Sequence, residues 1–314
     1  MNYLKDYREG EKFVGTYLCK QKQILKTKAG KTYYSLTLQD KTGTADGKIW
    51  DLNNGIANFE PMDYIHCEGM VTSFQGNLQM NISRVRISDE GEYDPADYVP
   101  CPNKDVGEMF SRILKYVASV QNKYLRKILE MYFVENKEFV DAFKKHSAAK
   151  SVHHGFMGGL LEHTLSVTDM CQYFAEHYPM IHRDLLITAA LFHDMGKIQE
   201  ISDFPMNDYT DDGQLLGHIY IGARCMENAA AQIPNFPPKL KNELVHCILA
   251  HHGKMEFGSP KVPAIMEAMA LHMADNADAK LQTLTEVFTQ AGDNMGWLGF
   301  NRMFESNLRK TSEE

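Results

Sequence analysis

Two textures divide the chain near residue 90. Over residues 10–88, apolar and polar positions alternate with a period near two and are broken by turn signals, which predicts strands. KFVGTYLCKQKQIL leads into the turn TKAGK, TYYSLTLQD into DKTG and TADGKIWD, and DYIHCEGMVTSF into NLQMNISRVRI through Gln75-Gly76. Five strands, with an irregular or helical stretch over 52–60, predict an OB-fold barrel spanning residues 1–88, although other small all-β barrels share this pattern. From Asp105 onward, apolar residues recur at three- and four-residue steps, as in FSRILKYVASV, YLRKILEMYFVE and KEFVDAFKKH. That period predicts an all-α helical bundle over residues 105–314. Between them, DEGEYDPADYVPCPNK (89–104) has three prolines, five acidic residues and no periodicity, so it reads as a linker or as a strap on the second domain. The expected fold is multidomain, a small barrel followed by helices.

Alternation also sorts the barrel residues into two faces. Tyr34, Leu36 and Leu38 share one side of the second strand, and Tyr33, Ser35 and Thr37 share the other. In the third strand Lys48 and Trp50 oppose Ile49. Exposed aromatics beside lysines suit a single-stranded nucleic acid, which needs stacking for its bases and cations for its phosphates. Tyr33, Lys48, Trp50, Lys20 and Lys22 are the candidates. Alternation equally admits Tyr33 and Trp50 as residues that close the barrel, and it leaves the inward side undecided.

The helical half carries different chemistry. His163 lies in the first turns of GGLLEHTLSVTDMCQYFAEHY, and His193-Asp194 near the end of DLLITAALFHDMGK. His218 opens LLGHIYIGARCMENAAAQI, His251-His252 close PPKLKNELVHCILAHHG, and Asp275 lies midway along AIMEAMALHMADNADAKLQ. Imidazole and carboxylate are the usual protein ligands of divalent zinc, manganese, iron and cobalt. Helix bundles build such sites by aiming side chains from several helices at one interior point. A carboxylate beside a histidine, as in Asp194, can bridge two cations, which points to metal-assisted hydrolysis of a phosphate ester.

Composition narrows the classes. The 314 residues are 44% hydrophobic and 24% charged, which is ordinary for a globular chain of about two domains. No apolar run reaches the roughly 18 residues that span a bilayer, and MNYLKDYREGEKF lacks a secretory apolar stretch. A cytoplasmic protein without a membrane partner is expected. The six cysteines are scattered without a CxxC pair and read as reduced thiols. Cys247, four residues before His251, reads as a small buried hydrophobe. The net charge of −8 is uneven: residues 1–88 hold 12 Lys and Arg against 9 Asp and Glu, leaving 21 against 32 beyond. A basic front module on an acidic body is compatible with nucleic acid at one end and cations at the other.

With these motifs in view, the chain resembles the HD-domain phosphohydrolase superfamily, named for the doublet present here as His193-Asp194. The barrel-plus-helices order and the run from His153-His154-Gly155 into GGLLEHT resemble the YhaM-type 3′→5′ exoribonucleases, as do LFHDMGK, GHIYIGA, LAHHG and ADNADAK. That resemblance implies hydrolysis of single-stranded RNA from its 3′ end with two divalent ions, manganese first, and cobalt, iron or zinc as alternatives. It implies a core of His163, His193, Asp194 and Asp275, with His218 and one or both of His251 and His252 as the further ligands of dinuclear members. Some trinuclear members have Glu four residues before the first His; Gly159 stands there, which argues against a third ion. The long motif after HH that marks cyclic-di-GMP phosphodiesterases is replaced by GKMEFGSPK.

Two other residues have expected roles. Lys197 would contact the scissile phosphate or else lie solvated at a helix end, and His154 would position substrate or assist proton transfer. The rival readings are an HD nucleotidase or phosphodiesterase for small nucleotides, and a single-strand binder, including one for single-stranded DNA. The helical surface and 18 methionines leave room for a homo-oligomer.

Overall fold

The computed structural model describes residues 3–52, 55–74, 77–98, 104–149, 155–204 and 206–312. It divides into two units, one of residues 1–103 with Ser202–Asp208, the other of Lys104–Ile201 with Tyr209–Glu314.

The first unit is a closed five-stranded barrel. Its strands are β1 (Lys12–Lys26), β2 (Thr32–Asp40), β3 (Gly43–Ile49), β4 (Tyr64–Phe74) and β5 (Asn77–Ile87), in the order β1-β2-β3-β5-β4. Pairing is antiparallel except for β3 with β5, and β4 returns to β1 to close the sheet, which is the OB-fold arrangement. The inward positions are Phe13, Tyr17, Leu36, Leu38, Ile49, Ile65 and Met80. The Leu36 and Ile49 side of the alternation is thus the core side, and Tyr33, Lys48 and Trp50 face outward. The described part of 52–60 is irregular, with Ile56 bridged to Val85.

Residues 89–98 depart from the expected linker or second-domain strap. The Tyr93 ring stacks on Tyr64 at 4.0 Å, Tyr98 is buried, and Gln39 Nε2 donates to the Tyr98 carbonyl at 2.9 Å. Aromatic burial fastens this acidic segment to the barrel without needing periodicity.

The second unit is helical. The described helices are α1 (Val106–Ser119), α2 (Lys123–Glu130), α3 (Lys137–Lys145), α4 (Gly159–His177), α5 (Arg183–Phe192), α6 (Lys197–Glu200), α7 (Asp211–Ala231), α8 (Pro238–Ala250) and α9 (Met266–Gln290). A single π-helical turn, Met131–Glu135, continues α2. α5 is buried along its whole apolar run, from Leu185 to Phe192, so it forms the axis of the bundle. Leu160, Leu161, Ile187, Ile248 and Leu271 of α4, α5, α8 and α9 join it in one core. No described helix is long and apolar enough to cross a membrane.

Candidate functional site

The ligand candidates of the helical unit converge. His163 lies in α4 and Asp275 in α9, while His193-Asp194 and His251-His252 lie in the turns that directly follow α5 and α8. His218 follows a break inside α7, where Gly217 has a φ of 72° that L side chains rarely adopt. Gly196 makes the convergence sterically feasible: a Cβ there would lie 2.1 Å from the His218 carbonyl oxygen. The glycine of LFHDMGK therefore lets the backbone of α7 approach Asp194.

Two clusters result. In one, ligand atoms of His163, His193 and Asp275 lie within 4.8 Å of one another; in the other, those of His218, His251 and His252 do. Asp194 stands between them. Its Oδ2 is 3.3 Å from His163 Nε2 and 3.4 Å from His193 Nε2. Its Oδ1 is 3.5 Å from His218 Nε2 and 3.7 Å from His251 Nε2.

Every imidazole is oriented through Nδ1. His163 donates to Asp278 (2.7 Å), His193 to the Ala190 carbonyl (2.8 Å), and His218 to Glu200 (2.9 Å). His251 donates to the Ile248 carbonyl (2.7 Å) and His252 to the Phe257 carbonyl (2.9 Å). Carbonyls and carboxylates only accept, so in the neutral rings the proton belongs on Nδ1 and the lone pair on Nε2. The five Nε2 lone pairs thus belong to the two clusters. His163 and His193 Nε2 lie just 3.1 Å apart, an unfavourable meeting of lone pairs unless a proton or cation intervenes. Asp194 Oδ1, His218 Nε2 and His251 Nε2 are buried without a hydrogen-bond partner. Each such atom costs about 1–3 kcal/mol when left unsatisfied.

The electrostatics agree with that geometry. Burial alone would push the Asp194 carboxyl up, yet Lys197 and the surrounding imidazoles hold it well below the carboxylate range. Asp275 is likewise held down against burial by His163 and its neighbours. Burial pulls the His163 imidazole down, but Asp194, Asp275 and Asp278 outweigh it and raise its pKa, so without a cation a proton takes that place on Nε2, between the Asp194 and Asp275 carboxylates. His251 and His252 are lowered by burial, His252 to about 4, so both are neutral donors near pH 7.

Lys197 is not a solvated helix-end lysine. Its ammonium lies 2.7 Å from Asp194 Oδ2 with the side chain 14% exposed. His154 lies outside the described residues. Sequence reasoning missed Asp278, Glu200 and Ser166, whose hydroxyl donates to Asp278. Asp278 follows Asp275 by three positions and Glu200 follows Lys197 by three, a helical spacing that could have flagged both.

The barrel candidates are more scattered. Tyr33 and Trp50 stack with centroids 4.6 Å apart, and Trp50 Nε1 donates to Asn81 Oδ1. Lys48 on the same outer side donates to Ser35 and pairs with Asp46 at 2.6 Å. Lys20 is half-buried at the β1 bulge. Lys22 is elsewhere: its ammonium donates to the Phe59 carbonyl and lies over the Tyr34 and Phe59 rings, which withdraws it from the Trp50 face.

The HD domain family matches residues 160–280. The 3′-5′ exoribonuclease YhaM of Geobacillus sp. (strain WCH70) is 33% identical over 257 residues, covering 81% of this chain and 78% of that protein. The 3′-5′ exoribonuclease YhaM of Bacillus subtilis (strain 168) is 32% identical over 262 residues, covering 81% of each. Among solved structures, the second OB-fold domain of replication protein A from Methanococcus maripaludis is similar at 20% identity. It covers 29% of this chain and 98% of its own, with a TM-score of 0.24.

Proposed function

This chain belongs to the YhaM family of 3′-5′ exoribonucleases, and from that premise we propose that it shortens single-stranded RNA from the 3′ end at a centre for two divalent cations. The observation that carries the proposal is Asp194, whose two carboxylate oxygens each meet a separate cluster of Nε2 donors. Orphaned, buried Asp194 Oδ1, His218 Nε2 and His251 Nε2 fit such cations, as does the approach of the His163 and His193 lone pairs.

His163, His193, Asp275 and Asp194 would hold one cation; His218, His251, His252 and Asp194 would hold the other. Manganese is the first candidate, with cobalt, iron and zinc compatible with the same donors. Bound there, the cations would polarise the phosphodiester and lower the proton affinity of the attacking water. Hydrolysis joins the water oxygen to phosphorus and breaks a phosphorus–oxygen bond, and the departing ribose oxygen takes up a proton. The residues of the chain orient this reaction. Asp278, Glu200 and three backbone carbonyls fix each ring through Nδ1, which aims Nε2 and raises its donor strength. Lys197 keeps the Asp194 carboxylate ionised and places a cation where a phosphate oxygen gains charge. On the barrel, the Tyr33–Trp50 stack would receive bases while Lys48 and Lys20 meet phosphates.

The test is a time course on 5′-labelled single-stranded RNA and DNA with manganese or EDTA. A ladder shortening from the 3′ end on RNA, stopped by EDTA and restored by manganese, is expected. Internal cuts, or degradation indifferent to EDTA, would overturn the reading.

A further inference from the structure

The segment GKMEFGSPK, which follows the His251-His252 doublet, is unused by the chemistry described so far. It folds into a tight turn around a 3₁₀ helix, Met255–Phe257. Phe257 N donates to the Lys254 carbonyl (3.1 Å), Gly258 N to Met255 (3.0 Å), and the Ser259 hydroxyl to Leu249 (3.0 Å). The Phe257 carbonyl in turn accepts from His252 Nδ1 at 2.9 Å. A turn anchored in this way would ordinarily tuck its large side chains inward. This one leaves Phe257 55% and Met255 74% exposed, with the Lys254 ammonium 5.2 Å from the Phe257 ring centroid.

The surroundings give that exposure a use. His163, His193, Asp194 and His251 are buried, whereas His252 is half-buried and residues 254–258 are exposed. With Asp275, which is also half-buried, His252 is thus where the ligand set comes nearest the surface, and this turn borders it. Resting on the exonuclease reading, we infer that the turn is the nucleotide platform of the catalytic unit. Phe257 stacks the base of the terminal nucleotide, and Lys254, which pairs with Glu256 at 3.1 Å on the exposed turn, exchanges that partner for a phosphate next to the one being cleaved. The pairing of an aromatic face with an adjacent ammonium suits any base, because every base offers a π-face. It also couples substrate to chemistry, since the same residue that meets the base holds the His252 ring in place through its carbonyl.

Two chromogenic phosphodiesters with one leaving group test this on the full chain with manganese: thymidine 5′-(p-nitrophenyl phosphate), which has a base, and methyl p-nitrophenyl phosphate, which has no base and no second ring. Phe257→Ala should raise KM for the thymidine ester about five-fold or more, because the base loses its stacking contact. KM for the baseless ester should rise at least about three-fold less, and Phe257→Trp should restore the wild-type KM for the thymidine ester. Equal effects on both esters, or none on either, would overturn the platform. A chain that hydrolyses both esters but leaves RNA intact would instead defeat the exonuclease reading, while the comparison of KM values still decides the platform.

Discussion

The outer face of the barrel and the interior of the helix bundle both gather polar groups, and they do so in opposite ways. On the barrel, Lys48 is paired with Asp46 and Ser35, Gln79 donates to Asp46, and Trp50 donates to Asn81. In the bundle, Asp194 Oδ1 and the Nε2 atoms of His218 and His251 are buried with no partner. A satisfied, exposed surface binds by stacking and charge, with affinities tuned gradually and weakened by salt. A buried set of unmet acceptors costs about 1–3 kcal/mol per atom, which a ligand that supplies the missing bonds recovers. On the proposed function, the barrel would hold the strand and the bundle would carry out chemistry on it.

The contrast breaks first if Asp194 proves dispensable. Asp194→Asn retains the shape but removes the charge facing both clusters, and should lower turnover by about a thousandfold. RNA binding, followed by fluorescence anisotropy, should survive that substitution. Loss of binding without loss of turnover would reverse the division of labour. Next, Asp278→Asn and Glu200→Gln exchange the charged acceptors that orient His163 and His218 for neutral amide oxygens. Each should weaken manganese binding about 10–100-fold in calorimetry, with the melting profile of the barrel unchanged. Trp50→Ala should weaken single-stranded RNA binding by roughly 1–3 kcal/mol. It should leave hydrolysis of a small phosphodiester at the wild-type rate.

The smallest effect is a pH slope. Burial draws the folded pKa of His252 from 6.5 to about 4. Between those values the unfolded chain binds a proton that the folded chain refuses, so stability falls as pH falls. Metal-free wild-type protein should melt at lower temperature as pH drops through this window. His252→Asn should flatten that dependence, and an unchanged slope in the variant would remove His252 as its source.

Much of this arrangement was legible in the chain because local patterns carried it. Period-two alternation with turn residues gave β1 to β5, and the histidines and aspartates were visible as a set, since each stands in a short motif of its own on or beside a helix. What stayed hidden depends on contacts between distant positions. The partner of His163 is Asp278, 115 residues away, and no local pattern joins them. The inward face of the barrel was undetermined because both sides of β2 carry a tyrosine; closure of the sheet chose the Leu36 and Leu38 side. Lys22 looked like one more cation in a basic run until the fold brought the Phe59 carbonyl to it. That the 89–98 segment straps the barrel was missed because stacking of Tyr93 on Tyr64 leaves no periodic trace.

The most direct test is anomalous diffraction at the manganese edge from crystals soaked in that ion. Two peaks are expected, one on each side of the Asp194 carboxylate, the first among His163, His193 and Asp275 and the second among His218, His251 and His252. A single peak, or peaks away from Asp194, would contradict the account.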